Sequence, residues 1–202
     1  FGGLGYNFAN PAIVGRIAMA LGFTGAMTSY TYPENGIDAL ASATPLAVEE
    51  TAQNAGSYVT LLLGNHGGVL GETCAITLLI GGIYLIWTKV ISPTIPVTYL
   101  ATVAVFSLLC GYDPIYQLLS GGLILGAFFM ATDYVTSPTT EKGKLVFGIG
   151  LGVITCLIRF FGTMNEGVSF AILLMNLLTP YIDKFTMTKP LGAKPIKQKE
   201  EA

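Results

Sequence analysis

Acidic and basic residues are nearly absent from the first 182 positions, and this scarcity constrains the fold more than any motif does. Of 22 charged residues in the 202-residue chain, fourteen lie in that stretch and eight in the last twenty positions. Charged residues make up 11% of the chain, against roughly 25% in soluble domains. The chain also holds 25 glycines, which let membrane helices pack closely. The composition predicts an all-α polytopic membrane protein and excludes a disordered or nucleic-acid-binding chain.

Charge-free apolar runs predict about six transmembrane helices, because one crossing needs about 20 largely apolar residues. The predicted spans are residues 12–30, 72–90, 96–111, 115–132, 145–162 and 167–182. Before the second span, the short apolar segment 57–63 and the glycine-rich segment 64–73 predict a re-entrant half-helix and a turn. Residues 1–183 are thus expected to form a transmembrane domain. Because the chain opens on Phe1, we expect it to be the C-terminal part of a longer bundle.

The distribution of Lys and Arg predicts the orientation, since basic residues are retained on the cytoplasmic side of a membrane. Six alternating spans place nine of the ten basic residues on one face. The basic tail 184–202 is therefore predicted to be cytoplasmic, and the acidic loop at about 32–58 external. The exception is Arg159, which is expected to snorkel, to pair with Asp113 or Glu166, or to contact an anionic cofactor.

Several polar residues lie in apolar surroundings. Glu72 follows Gly71 at the predicted start of a helix, where a carboxylate caps free amides; alternatively it lines a passage at a broken helix. Asp133 is expected to cap a turn after the fourth span, and both carboxylates remain candidates for an ion path. His66, the only histidine, is expected to be structural, and Asn176 to hydrogen-bond between helices.

The cysteines do not form a metal or disulfide pattern. Cys74, Cys110 and Cys156 are far apart, each within an apolar run, and are expected to pack between helices. The sequence contains no CxxC motif, P-loop or Rossmann fingerprint. We therefore expect no metal site and no catalytic residue for substrate-level chemistry on this chain.

Six segments together are more specific than composition. They read FGGLGYN (1–7), NPA (10–12), DALASATPL (38–46), GNHGGVLGET (64–73), MATD (130–133) and FAILLMN (170–176). With them the chain resembles the RnfD/NqrB family along nearly its whole length. This family includes the D subunit of the Rnf complex, a membrane ferredoxin:NAD oxidoreductase that moves ions. A more distant member is the B subunit of the sodium-pumping NADH:quinone reductase.

The resemblance implies a covalent flavin. In that family an acidic residue and a Ser/Gly-Ala-Thr ending mark the place where a transferase joins FMN to the Thr hydroxyl as a phosphodiester. By this resemblance Thr44 carries FMN, within a signal that includes Asp38, Ser42 and Ala43. The sequence has Ala41 and Ser42 where the family often shows Ser and Gly. The residues around Thr44 are small enough to admit an enzyme, and a hydroxyl is a nucleophile once it is activated.

The resemblance also implies a second flavin, a noncovalent riboflavin near Asn7 and Asn10. The corresponding asparagines of the quinone-reductase relative are associated with such a group. Independently, Asn10 followed by Pro11 predicts a helix start, with Asn10 as N-cap and Pro11 at the first helical position. Capping and ligand contact are compatible, since one Asn can cap while the other binds.

The resulting hypothesis is an electron-relay subunit of an Rnf complex that couples ferredoxin:NAD electron transfer to Na+ or H+ translocation. The implied location is the cytoplasmic (inner) membrane of a prokaryote. The implied partners are the lipid bilayer and other Rnf subunits, especially the other flavinylated subunit and the membrane subunits. An alternative is a urea- or ammonium-like small-solute channel or transporter, since glycine-broken helices also build such passages. A third possibility is a purely structural scaffold.

Overall fold

The computed structural model describes residues 8–27, 55–64, 71–72, 74–162 and 167–186. Within these ranges all regular structure is helical, as the sequence predicts. The helices are α1 (Pro11–Gly22), α2 (Thr24–Met27), α3 (Ala55–Leu63), α4 (Ala75–Trp87), α5 (Thr94–Cys110), α6 (Pro114–Leu119), α7 (Leu123–Leu125), α8 (Glu141–Phe161) and α9 (Val168–Thr186). A five-residue π-helical segment, Gly126–Met130, continues α7.

The predicted count of six spans is not reproduced by helix length. Of the described helices, α8 and α9 are long and apolar enough to cross a membrane, whereas α1, α4 and α5 are shorter apolar helices. The second predicted span, 72–90, is reduced to the 13 residues of α4, about 20 Å at 1.5 Å per residue. Segment 57–63, predicted as a re-entrant half-helix, lies within α3.

The fourth predicted span, 115–132, is wrong as a continuous helix. Helix α6 ends at Leu119 and α7 begins at Leu123. Between them Gly121 has a φ of +67°, a left-handed conformation that interrupts the helical hydrogen-bond ladder and that glycine adopts without steric cost. We name residues 120–122 the α6–α7 break.

Glycines on α8 bring it close to α5. A methyl group at Gly152 would lie 2.5 Å from Cβ of Thr102, and one at Gly148 would collide with Oγ1 of Thr98. Small residues spaced by four along a helix allow two backbones to approach in this way. The hydroxyls of Tyr99 and Thr155 share a buried hydrogen bond of 2.6 Å across the same interface. Helices α5 and α8 therefore form a closely packed pair within the bundle.

Contacts between segments define two ends of the bundle. At the first, which we name the Asn10 end, the starts of α1, α5 and α8 meet the end of α9 and the loop after the π-helical segment. The hydrogen-bonded pairs are Asn10–Asp133, Thr94–Glu141, Thr139–Asp183 and Thr140–Thr186. At the Asp113 end, Tyr58 donates to Asp113 and the ring of Phe160 stacks on Tyr112 at a centroid distance of 4.4 Å. The α6–α7 break lies between the two ends.

Candidate functional site

The predicted site residues fall into two groups. Asn10, Glu72 and Asp133 are described by the structure, and each lies at the end of a helix or beside one. The residues of the predicted FMN signal and the remaining polar candidates lie outside the described residues: Asp38, Ser42, Ala43, Thr44, Asn7 and His66.

The structure brings Asn10 and Asp133 together. Asn10 caps α1 through Oδ1, which accepts from the amide of Ala12 at 3.0 Å, and Pro11 occupies the first helical position as predicted. The Nδ2 of Asn10 donates to Oδ2 of Asp133 at 3.4 Å. Asp133 also closes its own turn, since Oδ2 accepts from the Thr136 hydroxyl at 3.1 Å. A predicted flavin ligand and a predicted ion-path residue are therefore neighbours at the Asn10 end.

Glu72 is the one acidic or basic residue that is buried among the residues the structure describes. Its Oε1 lies 2.5 Å from Nη1 of Arg16 on α1. Hydrogen-bond geometry is not met at Oε1, so we treat this contact as an ion pair rather than an aligned hydrogen bond. The side chain of Glu72 is 4% exposed and that of Arg16 25%. Two charges in this setting stabilise each other, because neither could be left unpaired without a large desolvation penalty.

The carboxylate of Glu72 fills a space that Gly122 leaves. A methyl group at Gly122 would lie 2.8 Å from both Cδ and Oε2 of Glu72 and 2.9 Å from Oε1. Gly122 is the N-cap of α7, so the negative charge lies beside the positive end of the helical run 123–130. The helical run 123–130 separates Gly122 from Asp133, and its eight residues are about 12 Å long at 1.5 Å per residue. The carboxylate is therefore well inside the bundle, far from the Asn10 end.

Arg159 lies on the opposite side of the α6–α7 break. Its Nη1 donates to the carbonyl of Gln117 at 2.8 Å and its Nη2 to the carbonyl of Ser120 at 3.1 Å. These carbonyls belong to the C-terminal end of α6, where a cation is favourable. Arg159 thus caps α6 and forms no ion pair with Asp113 among the described residues, while Glu166 lies outside them. Snorkelling and contact with an anionic cofactor stay predictions.

An anion and a cation from the protein itself therefore compensate the two helix ends at the break. Glu72 lies at the start of the run that α7 begins, and Arg159 lies at the end of α6. Broken helices with such charged ends form ion and substrate sites in many transporters.

Two buried polar atoms of uncharged side chains lack a hydrogen-bond partner among the described residues. They are Oγ of Ser120, in a residue that is 0% exposed, and Nδ2 of Asn176, in a residue that is 2% exposed. The predicted interhelical hydrogen bond of Asn176 is therefore not present in the described part of the chain. Ser120 belongs to the α6–α7 break, two residues before Gly122, and the Glu72 carboxylate lies against Gly122.

Sequence reasoning missed four residues of this site: Arg16, Gln117, Ser120 and Gly122. In the sequence, Arg16 contributes only to the predicted orientation. A lone Arg and a lone Glu in apolar segments were nevertheless a signal, because opposite charges within a membrane bundle pair with one another. Within the described ranges no group of three or more His, Cys, Asp or Glu side chains could hold a metal. The three cysteines are free thiols.

We expect Gly122→Ala to destabilise the protein by about 1–3 kcal/mol, the usual cost of inserting a methyl group into a packed site. The new methyl group has to displace the Glu72 carboxylate. Gly15→Ala is the matched control, because a methyl group at Gly15 meets nothing within 4 Å. This variant is expected not to destabilise the protein, since Ala is the better helix former. Thermal unfolding in detergent compares the two variants. Equal stability of the Gly122→Ala and Gly15→Ala variants would contradict the close contact between Gly122 and Glu72.

Comparison with known proteins identifies the family. The model of the NQR2, RnfD, RnfE family matches residues 1–192. The chain belongs to this family. The resemblance noted from its sequence segments is thereby confirmed, and the family includes subunits of membrane-associated Rnf complexes.

Three relatives show how close the similarity is. The D subunit of the Na+-translocating ferredoxin:NAD+ oxidoreductase complex of Acetobacterium woodii is 47% identical, over 100% of this chain and 64% of the relative. The D subunit of the proton-translocating ferredoxin:NAD+ oxidoreductase complex of Clostridium ljungdahlii is 42% identical, over 96% of this chain and 64% of the relative. The D subunit of the ion-translocating oxidoreductase complex of Alcanivorax borkumensis is 36% identical, over 96% and 65%. The chain thus spans slightly less than two thirds of the length of these relatives.

Proposed function

We propose that this chain is an electron-relay subunit of an Rnf-type complex in a prokaryotic cytoplasmic membrane, with FMN attached to Thr44. The observation that carries the proposal is the family match over residues 1–192. Relatives that are 47% and 42% identical are named as D subunits of ion-translocating ferredoxin:NAD+ oxidoreductases. The sequence DALASATPL at 38–46 supplies the flavinylation signal. The partners in this proposal are the lipid bilayer and the other Rnf subunits, including the other flavinylated one.

The proposed topology follows the positive-inside rule, with the loop that bears Thr44 external and the tail 184–202 cytoplasmic. The positions of three helix ends support this topology, because the starts of α1 and α8 and the end of α9 lie together at the Asn10 end. In this topology all three helix ends lie on the cytoplasmic side. The Glu72 carboxylate is then about 12 Å deep, within a hydrocarbon core roughly 30 Å thick.

A flavin accepts electrons singly or in pairs, and the protein sets its position, solvent access and potential. The part of this chain that is proposed to hold FMN is the Thr44 hydroxyl, and Asn7 and Asn10 are the candidates for riboflavin. Asn10 has hydrogen-bonding capacity left for the edge of a riboflavin ring. After its contacts with Ala12 and Asp133, its amide retains one N–H and one lone pair. Asp133 would then orient the Asn10 amide toward the ligand.

Glu72 and Asp133 are the proposed residues of an ion path. Both lie along α7 and the π-helical segment, Glu72 beside Gly122 and Asp133 just after Met130. The channel alternative uses the same broken helices. A buried pair of opposite charges at the break suits a charged species better than a neutral solute, so we favour coupled ion translocation over passage of a urea-like molecule.

Covalent flavin on Thr44 is tested by Thr44→Ala in the complex purified from cells that contain the flavin transferase. The denatured parent subunit is expected to fluoresce under ultraviolet light, and the variant to lose the signal completely, because Ala has no hydroxyl to esterify. Thr51→Ala, in the same predicted loop, is the control and is expected to remain fluorescent. Mass spectrometry of the peptide 38–49 locates the adduct, and flavin in the denatured extract reports noncovalent riboflavin. A nonfluorescent parent subunit would disprove the proposal and leave the scaffold hypothesis.

A further inference from the structure

The cation that pairs with Glu72 in the structure belongs to the protein itself. Nη1 of Arg16 lies 2.5 Å from Oε1, and Arg16 is about six times more exposed than the carboxylate, at 25% against 4%. Glu72 is fixed against Gly122, since a Cβ there would lie within 2.8 Å of it. One partner of the pair is therefore held in place, whereas the other reaches it on a long side chain from a less buried position.

A buried carboxylate is stable only when it is paired with a cation or protonated. If Arg16 moves away from Glu72, another positive species must therefore take its place at the same carboxylate oxygens. The break offers a further oxygen, the Oγ of Ser120, which is fully buried and has no hydrogen-bond partner among the described residues. Carboxylate and hydroxyl oxygens are the ligands that hard cations prefer.

We propose that Arg16 and the translocated monovalent cation, Na+ or H+, compete for the Glu72 carboxylate. With Arg16 in place the Glu72 carboxylate contacts the guanidinium and the site is closed. Binding of the cation releases the guanidinium, and Ser120 contributes its hydroxyl oxygen when the cation is Na+. The inference rests on the proposed function only in taking its cation from an ion-translocating role, and it does not depend on flavin at Thr44. The opposing view is a permanent structural ion pair.

Carbodiimide labelling of the purified complex distinguishes these two views, because dicyclohexylcarbodiimide modifies buried carboxyl groups in their protonated form. Labelling of Glu72 is read by mass spectrometry of its peptide. We expect it to be weak in the parent, intermediate in Arg16→Lys, whose shorter side chain holds the carboxylate less well, and strongest in Arg16→Gln. The expected increase in Glu72 labelling from the parent to Arg16→Gln is about tenfold, which corresponds to about 1.4 kcal/mol. Glu72→Gln gives the background, and the exposed Glu141 gives an internal reference.

Na+ and pH are then varied both in the parent, where Arg16 is in place, and in the Arg16 variants. Suppression of Glu72 labelling by Na+ at constant pH, at a lower concentration in Arg16→Gln than in the parent, indicates Na+ as the competitor. Labelling of the parent that rises above the Glu72→Gln background as the pH is lowered indicates H+; either result supports the inference. Equal labelling in the parent, Arg16→Lys and Arg16→Gln would overturn it. Parent labelling that stays at background at every pH, with no effect of Na+ in any variant, would also overturn it, because that is the result expected of a permanent ion pair. If Arg16→Gln does not assemble, the comparison of the parent with Arg16→Lys decides by the same criteria.

The labelling experiment separates this inference from the proposed function. The labelling order in a Thr44→Ala background is expected to match that of the parent. A nonfluorescent subunit with the expected labelling order would disprove the flavin relay and leave the competition at Glu72 intact. Fluorescence at Thr44 with equal labelling in all variants would disprove the competition at Glu72 and leave the flavin relay intact.

Discussion

Replacing Glu72 by Gln is expected to abolish most ion translocation by the assembled complex while electron transfer from ferredoxin to NAD continues. Gln preserves the shape of the side chain but can neither pair with a cation nor take up a proton. The single variant also leaves the Arg16 guanidinium without its counter-ion, which we expect to cost about 3 kcal/mol of folding free energy. This is the lower limit for breaking a buried ion pair, because Arg16 is 25% exposed.

The double variant Arg16→Gln, Glu72→Gln separates function from stability. It leaves neither charge unpaired, so we expect it to recover most of the lost stability and none of the lost translocation. Glu141→Gln is the control, since Glu141 is 68% exposed in its side-chain pair with Lys144 and such pairs contribute at most about 1 kcal/mol. Ion uptake and electron transfer are measured together in proteoliposomes. Equal loss of both activities in the stable double variant would show that Glu72 is structural.

Replacing Arg159 by Met is expected to destabilise the bundle by about 3 kcal/mol, the upper range for hydrogen bonds to a charged group. Met keeps the apolar stem but leaves the carbonyls of Gln117 and Ser120 without the donors seen in the structure. Arg159→Lys keeps the charge and is expected to recover part of the loss, because an ammonium cannot reach both carbonyls with the geometry of a guanidinium.

Lys144→Met is the matched control for Arg159. It removes a cation from a pair whose carboxylate, on Glu141, is 68% exposed, and it is expected to cost at most about 1 kcal/mol. Unfolding in mild detergent with increasing denaturant gives the three free energies. A cost at Arg159 no larger than that at Lys144 would show that the α6–α7 break does not need this cation.

The sequence predicted features that depend on neighbouring residues. The Asn10–Pro11 helix start is local chemistry, and the long apolar helices α8 and α9 follow from their composition. Family membership could be predicted from short segments such as GNHGGVLGET at 64–73, because such exact segments are far more specific than composition or hydropathy.

The arrangement at the break could not be predicted in this way. Hydropathy treats Ser120, Gly121 and Gly122 as ordinary members of an apolar run, because glycine is common in continuous membrane helices. The pairing of Arg16 with Glu72 depends on where α4 begins, since Glu72 precedes it, and on the space beside Gly122 that the carboxylate occupies. Both are set by packing between segments that are distant in sequence. The site at Thr44 remains a prediction, since it lies outside the described residues.

The π-helical segment Gly126–Met130 carries a consequence for Asp133. A π-turn contains about one residue more than an α-turn, and one residue corresponds to a rotation of about 100° around a helix. Without that surplus residue, every later side chain of this run would be turned by the same angle, and Asp133 would face away from Asn10. A local irregularity in winding thus sets the direction of a carboxylate at the far end of the run.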